Sequence, residues 1–185
     1  MTSDAPRPPR AEPPPDAEVA IRVTNAGMVI LNGYLGLLFS RLGLIEHNTF
    51  VSEEAQRRAV HYLQFLVTDK TDTAEPYLML NKLLCGMALN ATVDLSIEVT
   101  DAERELCTHL LNAVVSHWPA IGESSADGLR SNFLVRDGVL RDDKDYWSLH
   151  VERRAYDVLL ARSPYNYSII KCPWMEKALY VTWPA

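Results

Sequence analysis

The hydrophobic pattern of this 185-residue chain changes its period near residue 133, and that change limits the folds available to it. Upstream, apolar residues recur at the spacing of amphipathic helices. Downstream, "FLVRDGVLRDDKDYWSLHVE" alternates apolar and polar residues around turn sequences, as a β-hairpin does. This order predicts an α+β fold, in which an N-terminal helical bundle-like part precedes a small C-terminal antiparallel sheet with a short helix.

Capping signals place the clearest helices of the first part. Ser52, followed by two glutamates, predicts a helix over 52–67. A capping box of Thr100 and Glu103 begins another helix, which Pro119 ends. Weaker patterns predict further helices over 76–86, 124–133 and 153–161.

The segment 26–40, "AGMVILNGYLGLLFS", carries no charge. It is shorter than the roughly 18 residues that a membrane-spanning helix needs, so we interpret it as a buried helix without membrane insertion. Thr24-Asn25 offers an N-cap for a helix that runs to about Leu44. Gly33 and Gly36 leave open its division into two shorter helices.

Residues 1–19 hold six prolines and few residues that can pack, which predicts a disordered arm. Its role as a dispensable leader or as a tether to a partner stays open. Residues 20–185 are expected to form a single α+β domain. Its β-branched and aromatic stretches predict strands over 19–23, 167–171 and 179–183.

Reactive residues occur without the spacing that catalysis or metal binding requires. The histidines lack the i, i+4 spacing of zinc-protease helices, and neither a phosphate-binding loop nor a G-x-S-x-G elbow occurs. The net charge of −6 without a basic cluster argues against nucleic-acid binding. We therefore predict no enzymatic activity, no metal and no cofactor.

The stretch "KCPWM" raises the alternatives of haem or metal ligation, redox chemistry and packing. Because Ile169 and Ile170 precede it, we favour packing of Cys172 at the end of a strand. Cys85 and Cys107 also lie among apolar residues, so all three cysteines are predicted to be buried, reduced thiols of a cytoplasmic protein.

In "ERRAYD" a partly buried pair between arginine and carboxylate is expected to join helix to sheet.

Several stretches, taken in order, resemble the contractile injection system tape measure protein family. The resemblance covers about residues 22–184 and rests on "NAGMVILNGYLGLLFSRLGLI", "QRRAVHYLQFLV", "LNKLLCGM", "LLNAVVSHWPAI", "SADGLRSNFLVRDGVL", "WSLHVERRAYDVLL" and "SIIKCPWM…LYVTW". The sequence departs from the family pattern at Gly33 and Gly36, where prolines are usual, and at Tyr165, where a tryptophan is usual. Family members are often much longer, with this block as one part.

The resemblance implies a non-enzymatic structural or assembly component of a phage-tail-like machine of sheath, tube, baseplate, spike and cap. Its implied role is tube assembly or control of tube length, with docking at the baseplate or cap. It implies partners among the tube, baseplate, spike or cap proteins, and a location in the cytoplasm during assembly or within the particle. A free-standing binding module or chaperone for a particle component is the alternative. The residues that we single out as interface or structural candidates are Trp118, Arg130, Trp147, Arg154, Pro173, Trp174, Met175 and Trp183. We expect the contact surface to include the exposed aromatic residues of the last twenty positions and the uncharged first helix.

Overall fold

A five-stranded sheet with helices against its inner face forms the fold that a computed structural model describes for residues 19–184. The α+β class is confirmed, with helices before most of the strands. The predicted disordered arm lies outside the described residues except for Val19.

The helical part contains both α-helices and shorter 3-10 segments. The α-helices are α1 (Leu35–Arg41), α2 (Glu53–Thr68), α3 (Met79–Leu84), α4 (Asp101–Ser116) and α5 (Ala126–Leu129), and α5 continues as a π-helical turn over Arg130–Leu134. The 3-10 helices are Ala26–Tyr34, Glu75–Tyr77, Pro119–Ile121 and Ala155–Arg162. The predicted helices over 76–86, 124–133 and 153–161 therefore exist as shorter or tighter elements.

The strands of the main sheet come from both ends of the described chain. They are β1 (Ala20–Val23), β4 (Gly138–Asp142), β5 (Trp147–Val151), β6 (Ile169–Ile170) and β7 (Leu179–Thr182), in the spatial order β1-β4-β5-β7-β6. A separate small hairpin consists of β2 (Ile45–Glu46) and β3 (Thr49–Phe50). Each predicted strand of the sheet is present.

The sheet is mixed, which corrects the prediction of an antiparallel sheet. β4 and β5 form the expected antiparallel hairpin, but β5 and β7 run parallel, with Trp147 opposite Leu179. Parallel neighbours need a long crossover, and residues 152–178 supply it through the 3-10 helix Ala155–Arg162 and β6. Local patterns locate strands, but they do not determine which strands become neighbours.

The uncharged segment is buried, as predicted, and it is divided into a 3-10 helix and α1. Asn25 does not cap it. Its side-chain amide instead donates hydrogen bonds to Gln64 Oε1 at 2.8 Å and to Asn81 Oδ1 at 2.7 Å. A Cβ atom at Gly27 would overlap the Phe133 carbonyl, so glycine permits this segment to pack directly on the π-helical turn.

The helix caps predicted at Ser52 and Thr100 are confirmed. The Ser52 hydroxyl accepts a hydrogen bond from the Ala55 N–H at 3.0 Å at the start of α2. At the start of α4, Thr100 Oγ1 accepts from the Glu103 N–H and the Glu103 carboxylate accepts from the Thr100 N–H, each at 3.2 Å. Glu103 also accepts a hydrogen bond from the Tyr62 hydroxyl at 2.6 Å, which connects this cap to α2.

We expect Thr100→Ala to lower the free energy of unfolding by about 1 kcal/mol, because the first turn of α4 loses a side-chain acceptor. Urea unfolding followed by circular dichroism measures this change. Thr108→Ala is the matched control, since Thr108 is exposed on the same helix and its hydroxyl only donates to the Arg104 carbonyl. Equal losses in the two variants would contradict a specific capping role.

Candidate functional site

The residues singled out from the sequence lie in several places and differ in accessibility. Arg154 and Pro173 are exposed, and Arg130, Trp147 and Trp174 are partly buried. Trp118, Met175 and Trp183 are buried. Burial gives the last three a packing environment in this fold, whereas any contact with a partner stays a prediction.

A buried ion pair connects the start of the sheet to its crossover. Arg136 Nη1 donates to both carboxylate oxygens of Asp157, at 2.9 and 2.7 Å, and both side chains are fully buried. The guanidinium also donates to the Glu152 carbonyl at 3.0 Å and to the Asn132 carbonyl at 2.6 Å. One arginine therefore links the π-helical turn, the end of β5 and the 3-10 helix Ala155–Arg162.

Asp157 receives further hydrogen bonds from the crossover and from the end of the sheet. Its Oδ2 accepts from the Arg154 N–H at 2.8 Å and from the Trp183 indole N–H at 3.0 Å. The Trp183 ring also lies 5.2 Å from the Arg136 guanidinium carbon. Burial favours a raised pKa for Asp157, but the hydrogen bonds from Arg136, Arg154 and Trp183 prevail and lower it, so the carboxylate is ionised at neutral pH.

The predicted pair between arginine and carboxylate in "ERRAYD" is found with a different arginine. Asp157 is its acid, but its partner is Arg136, which comes from the "RDG" stretch before β4. Arg153 and Arg154 are both exposed. Within this stretch Arg154 Nη2 lies 4.0 Å from Glu152 Oε2 in an exposed pair, whereas the buried partner of Asp157 comes from outside it.

Trp174 anchors the segment between β6 and β7 to the helical part. Its indole N–H donates to the Leu84 carbonyl at 2.7 Å, and its ring lies 5.5 Å from the rings of both Phe39 and Phe50. A Cβ atom at Gly86 would overlap the Trp174 carbonyl, and the positive φ of Gly86 also favours glycine. The end of α3 is therefore shaped to receive this backbone.

Cys172 is buried beside Trp174, as the packing interpretation predicts. Its N–H contacts Met175 Sδ at 3.3 Å. Burial raises the pKa of the Cys172 thiol to about 11, so the thiol is protonated at neutral pH. Burial likewise raises the pKa of Cys107 to about 12, and that of Cys85 well above its ordinary value. All three cysteines are free and buried.

Trp118 joins the end of α4 to the π-helical turn and to the crossover. Its ring centroid lies 4.8 Å from that of Phe133, and its indole N–H donates to the Leu159 carbonyl at 3.3 Å. Tyr165 approaches the same indole edge-on at 6.1 Å and donates to the Val114 carbonyl at 2.6 Å. Tyr165 therefore belongs to the same aromatic cluster as Trp118 and Phe133.

Arg130 and Trp147 belong to two other contacts. Arg130 Nε donates to the Leu66 carbonyl at 2.9 Å, in the last turn of α2, and Nη1 donates to Asp127 at 2.9 Å. Arg130 therefore satisfies a carbonyl at a helix C-terminus, where a cation is favourable. The Trp147 ring lies 6.0 Å from Lys177 Nζ.

Within residues 19–184, no group of three or more histidine, cysteine, aspartate or glutamate side chains is placed to hold a metal ion. The buried His61 packs against the loop before α4, with Nε2 2.6 Å from the Asp94 carbonyl. None of the helices in this part of the chain is both long and apolar enough to cross a membrane. The residues described above connect segments that are distant in the sequence. Their contacts are those of residues that stabilise a fold.

We expect Asp157→Asn to lower the free energy of unfolding by about 3–5 kcal/mol, because it leaves the buried Arg136 charge without its counter-ion. Asp127→Asn is the matched control: it removes an exposed partner of Arg130 and is expected to cost at most about 1 kcal/mol. The double variant R136M/D157L should be more stable than Asp157→Asn alone, as measured by urea unfolding. Similar values for Asp157→Asn and Asp127→Asn would contradict this account.

The same pair predicts a pH dependence. Because the pKa of Asp157 is lower in the folded state, its stabilising effect is complete above the unfolded pKa of about 3.9 and is lost as pH falls through the folded pKa. The difference in unfolding free energy between wild type and Asp157→Asn should therefore shrink as pH falls below about 4. Urea titrations between neutral and acidic pH measure this difference, and a constant difference would exclude the linkage.

Comparison with known proteins gives one family. The family model described as "Contractile injection system tape measure protein" matches residues 2–183, nearly the whole chain, including the proline-rich stretch. No curated protein and no solved structure matches significantly. The match agrees with the resemblance drawn from the ordered motifs, and the chain belongs to the contractile injection system tape measure protein family.

Proposed function

We propose that this protein is a non-enzymatic assembly component of a contractile injection particle that acts as a folded module docked on the tube, baseplate, spike or cap. The family supports a structural role related to tape measure proteins. The observation that carries the finer proposal is that residues from the motifs of the resemblance connect separate segments of one fold. Trp118, Trp174, Trp183 and the Arg136–Asp157 pair all connect separate elements.

A role in which the extended protein chain sets the length of the tube does not fit this folded state. A chain of 185 residues spans at most about 600 Å when fully extended. Folded residues 19–184 instead have an expected radius of gyration of about 15 Å. A block folded in this way spans only its own folded diameter along the length of a tube. Docking or assembly is therefore the favoured role for this block.

The proposed contact surface excludes most of the first helix. Ala26–Leu31 are buried in the core, so our proposal leaves this part of the uncharged segment out of the contact surface. Leu37 remains 56% exposed on α1. Arg154 and Pro173 are the exposed members of the candidate set, so they are available to a partner without unfolding.

Deletion of the gene in the producing strain tests the role. We expect particles that are absent, of abnormal length or unable to contract, as seen by electron microscopy, and complementation with the intact gene should restore them. Normal contractile particles in the deletion strain would overturn the proposal. Defective particles in the deletion strain, together with a protein that is absent from purified wild-type particles, would instead indicate the chaperone alternative.

Arg154→Ala tests the contact surface in the complemented strain. We expect less of this variant to remain on purified particles, because an exposed cation is lost, while its unfolding free energy stays within about 0.5 kcal/mol of wild type. Arg153→Ala is the matched control at the adjacent exposed position. Quantitative immunoblotting of purified particles measures retention. Equal retention of both variants on the particles would show that Arg154 is not part of the contact surface.

A further inference from the structure

A groove lies between α1 and α4, and one face of each helix lines it. On both helices the lining residues recur at i, i+3, i+4 and i+7, which is the spacing of a single helix face. They are Tyr34, Leu37, Leu38 and Arg41 from one helix, and Leu106, His109, Leu110 and Ala113 from the other.

The two ends of the groove differ in chemistry. At one end the Tyr34 hydroxyl lies 3.2 Å from Nδ1 of His117, so the start of α1 meets the end of α4. Arg41 lies about two turns further along α1, at the other end. An aromatic hydroxyl therefore closes one end of the groove, and a guanidinium marks the other.

The floor of the groove is apolar, and the open space above it is small. Leu38 is buried, and Leu106 and Leu110 are partly buried. The volume of the groove is about 140 Å³. An apolar cavity of roughly 150 Å³ accommodates one benzene ring. The groove therefore has room for a single large apolar side chain, such as that of phenylalanine or leucine.

The rim of the groove on α1 is both apolar and low. Leu37 is 56% exposed there. Gly33 precedes it by one turn, and a Cβ atom at Gly33 would meet open space. Its φ is not positive, so the backbone conformation does not require glycine. Glycine at such a position lets another backbone approach closely, and the Leu37 side chain offers that backbone an apolar contact.

The charges beside the groove favour an acidic partner. Arg41 is exposed, and within residues 19–184 no ion pair joins it to an acid. On the opposite wall His109 already has a carboxylate beside it, since its Nε2 lies 4.0 Å from Glu105 Oε1. A carboxylate from a partner therefore complements the groove at Arg41, where it guides the orientation of binding.

We propose that this groove receives an amphipathic helix of a tube, baseplate, spike or cap protein. The helix inserts one phenylalanine or leucine side chain and places a carboxylate beside Arg41. A helix suits the groove because its residues at i, i+3 and i+4 project from one face, so that one apolar anchor and one acid reach it together. This inference rests on the docking role proposed above.

A different chain is assigned as the occupant because of the shape of the surface. If the same grooves of two copies met face to face, two concave surfaces would come together and neither would be filled. A partner that presents a convex helix face fills the groove instead, and its buried side chain excludes water from the apolar floor.

Photo-crosslinking in the producing strain tests the proposal. A benzophenone amino acid replaces His109 in the full chain, because this side chain lines the groove and is 71% exposed. We expect crosslinks to one tube, baseplate, spike or cap protein, at a helix in which a phenylalanine or leucine lies three or four residues from an acid. Thr108, exposed on α4 outside the groove, is the matched control position and should give a several-fold lower yield.

Substitutions in the groove provide the second readout. Ala113→Trp fills the groove and Leu37→Glu adds a charge to its exposed rim, so each should lower the yield several-fold. Leu95→Glu, at an 88% exposed position outside the groove, should leave the yield unchanged. Arg41→Glu should also lower it, and replacing the mapped carboxylate of the partner by lysine should restore it. Circular dichroism checks the folding of each variant, and the exposed position of Leu37 keeps the test decisive if Ala113→Trp unfolds.

Several outcomes would overturn the proposal. They are the absence of crosslinks from His109, equal yields from His109 and Thr108, crosslinks that join two copies of this chain, and a mapped site without an apolar anchor and an acid. A yield that Arg41→Glu leaves unchanged would do the same. Any of these results, together with defective particles in the deletion strain, would leave the assembly role standing, whereas normal particles in that strain would remove the role itself.

Discussion

The buried pair of Arg136 and Asp157 is the contact on which the C-terminal half depends. A single arginine bonded to one carboxylate and two carbonyls brings together segments that are otherwise separate in the sequence. Such a pair is costly to desolvate, and its net benefit to stability is small compared with the cost of leaving one partner alone. Its geometric consequence is that a crossover packed differently would lose several of these hydrogen bonds at once.

A second buried polar cluster has the same effect in the helical half. Asn25 binds Gln64 and Asn81, and Asn81 also donates to the Val60 carbonyl at 3.1 Å. Asn25, the second residue after β1, is thereby attached to both α2 and α3. Since buried amides need partners, helices that slide against one another lose these bonds. The two clusters therefore add specific polar contacts between the sheet and the helices to the packing of the apolar core.

Local signals predicted local structure well. Ser52 and Thr100 lie at helix N-termini, as predicted. Such a cap needs only a side-chain oxygen that accepts a hydrogen bond from the N–H three residues later, so the sequence alone can show it. Such local signals do not predict which residues pair when they lie far apart in the sequence. The parallel alignment of β5 with β7 and the pairing of β1 with β4 depend on the whole fold. Lys82 resembles a surface residue in sequence, yet it is 1% exposed and bonded to Glu75 at 2.7 Å. Trp174 was singled out from the sequence as a candidate, but only the tertiary structure shows its contacts with Leu84 and Gly86.

The pairing of β1 with β4 has a consequence for how the protein emerges from the ribosome. Ala20 is synthesised early, but its partner Arg141 follows only after all of the helices α1–α5. The helices are therefore translated before any part of the main sheet can close, and β1 remains an unpaired edge during that interval. Topologies dominated by such distant contacts fold slowly. A nascent chain of this kind benefits from charged flanking residues or a chaperone that shields the strand until translation reaches β4.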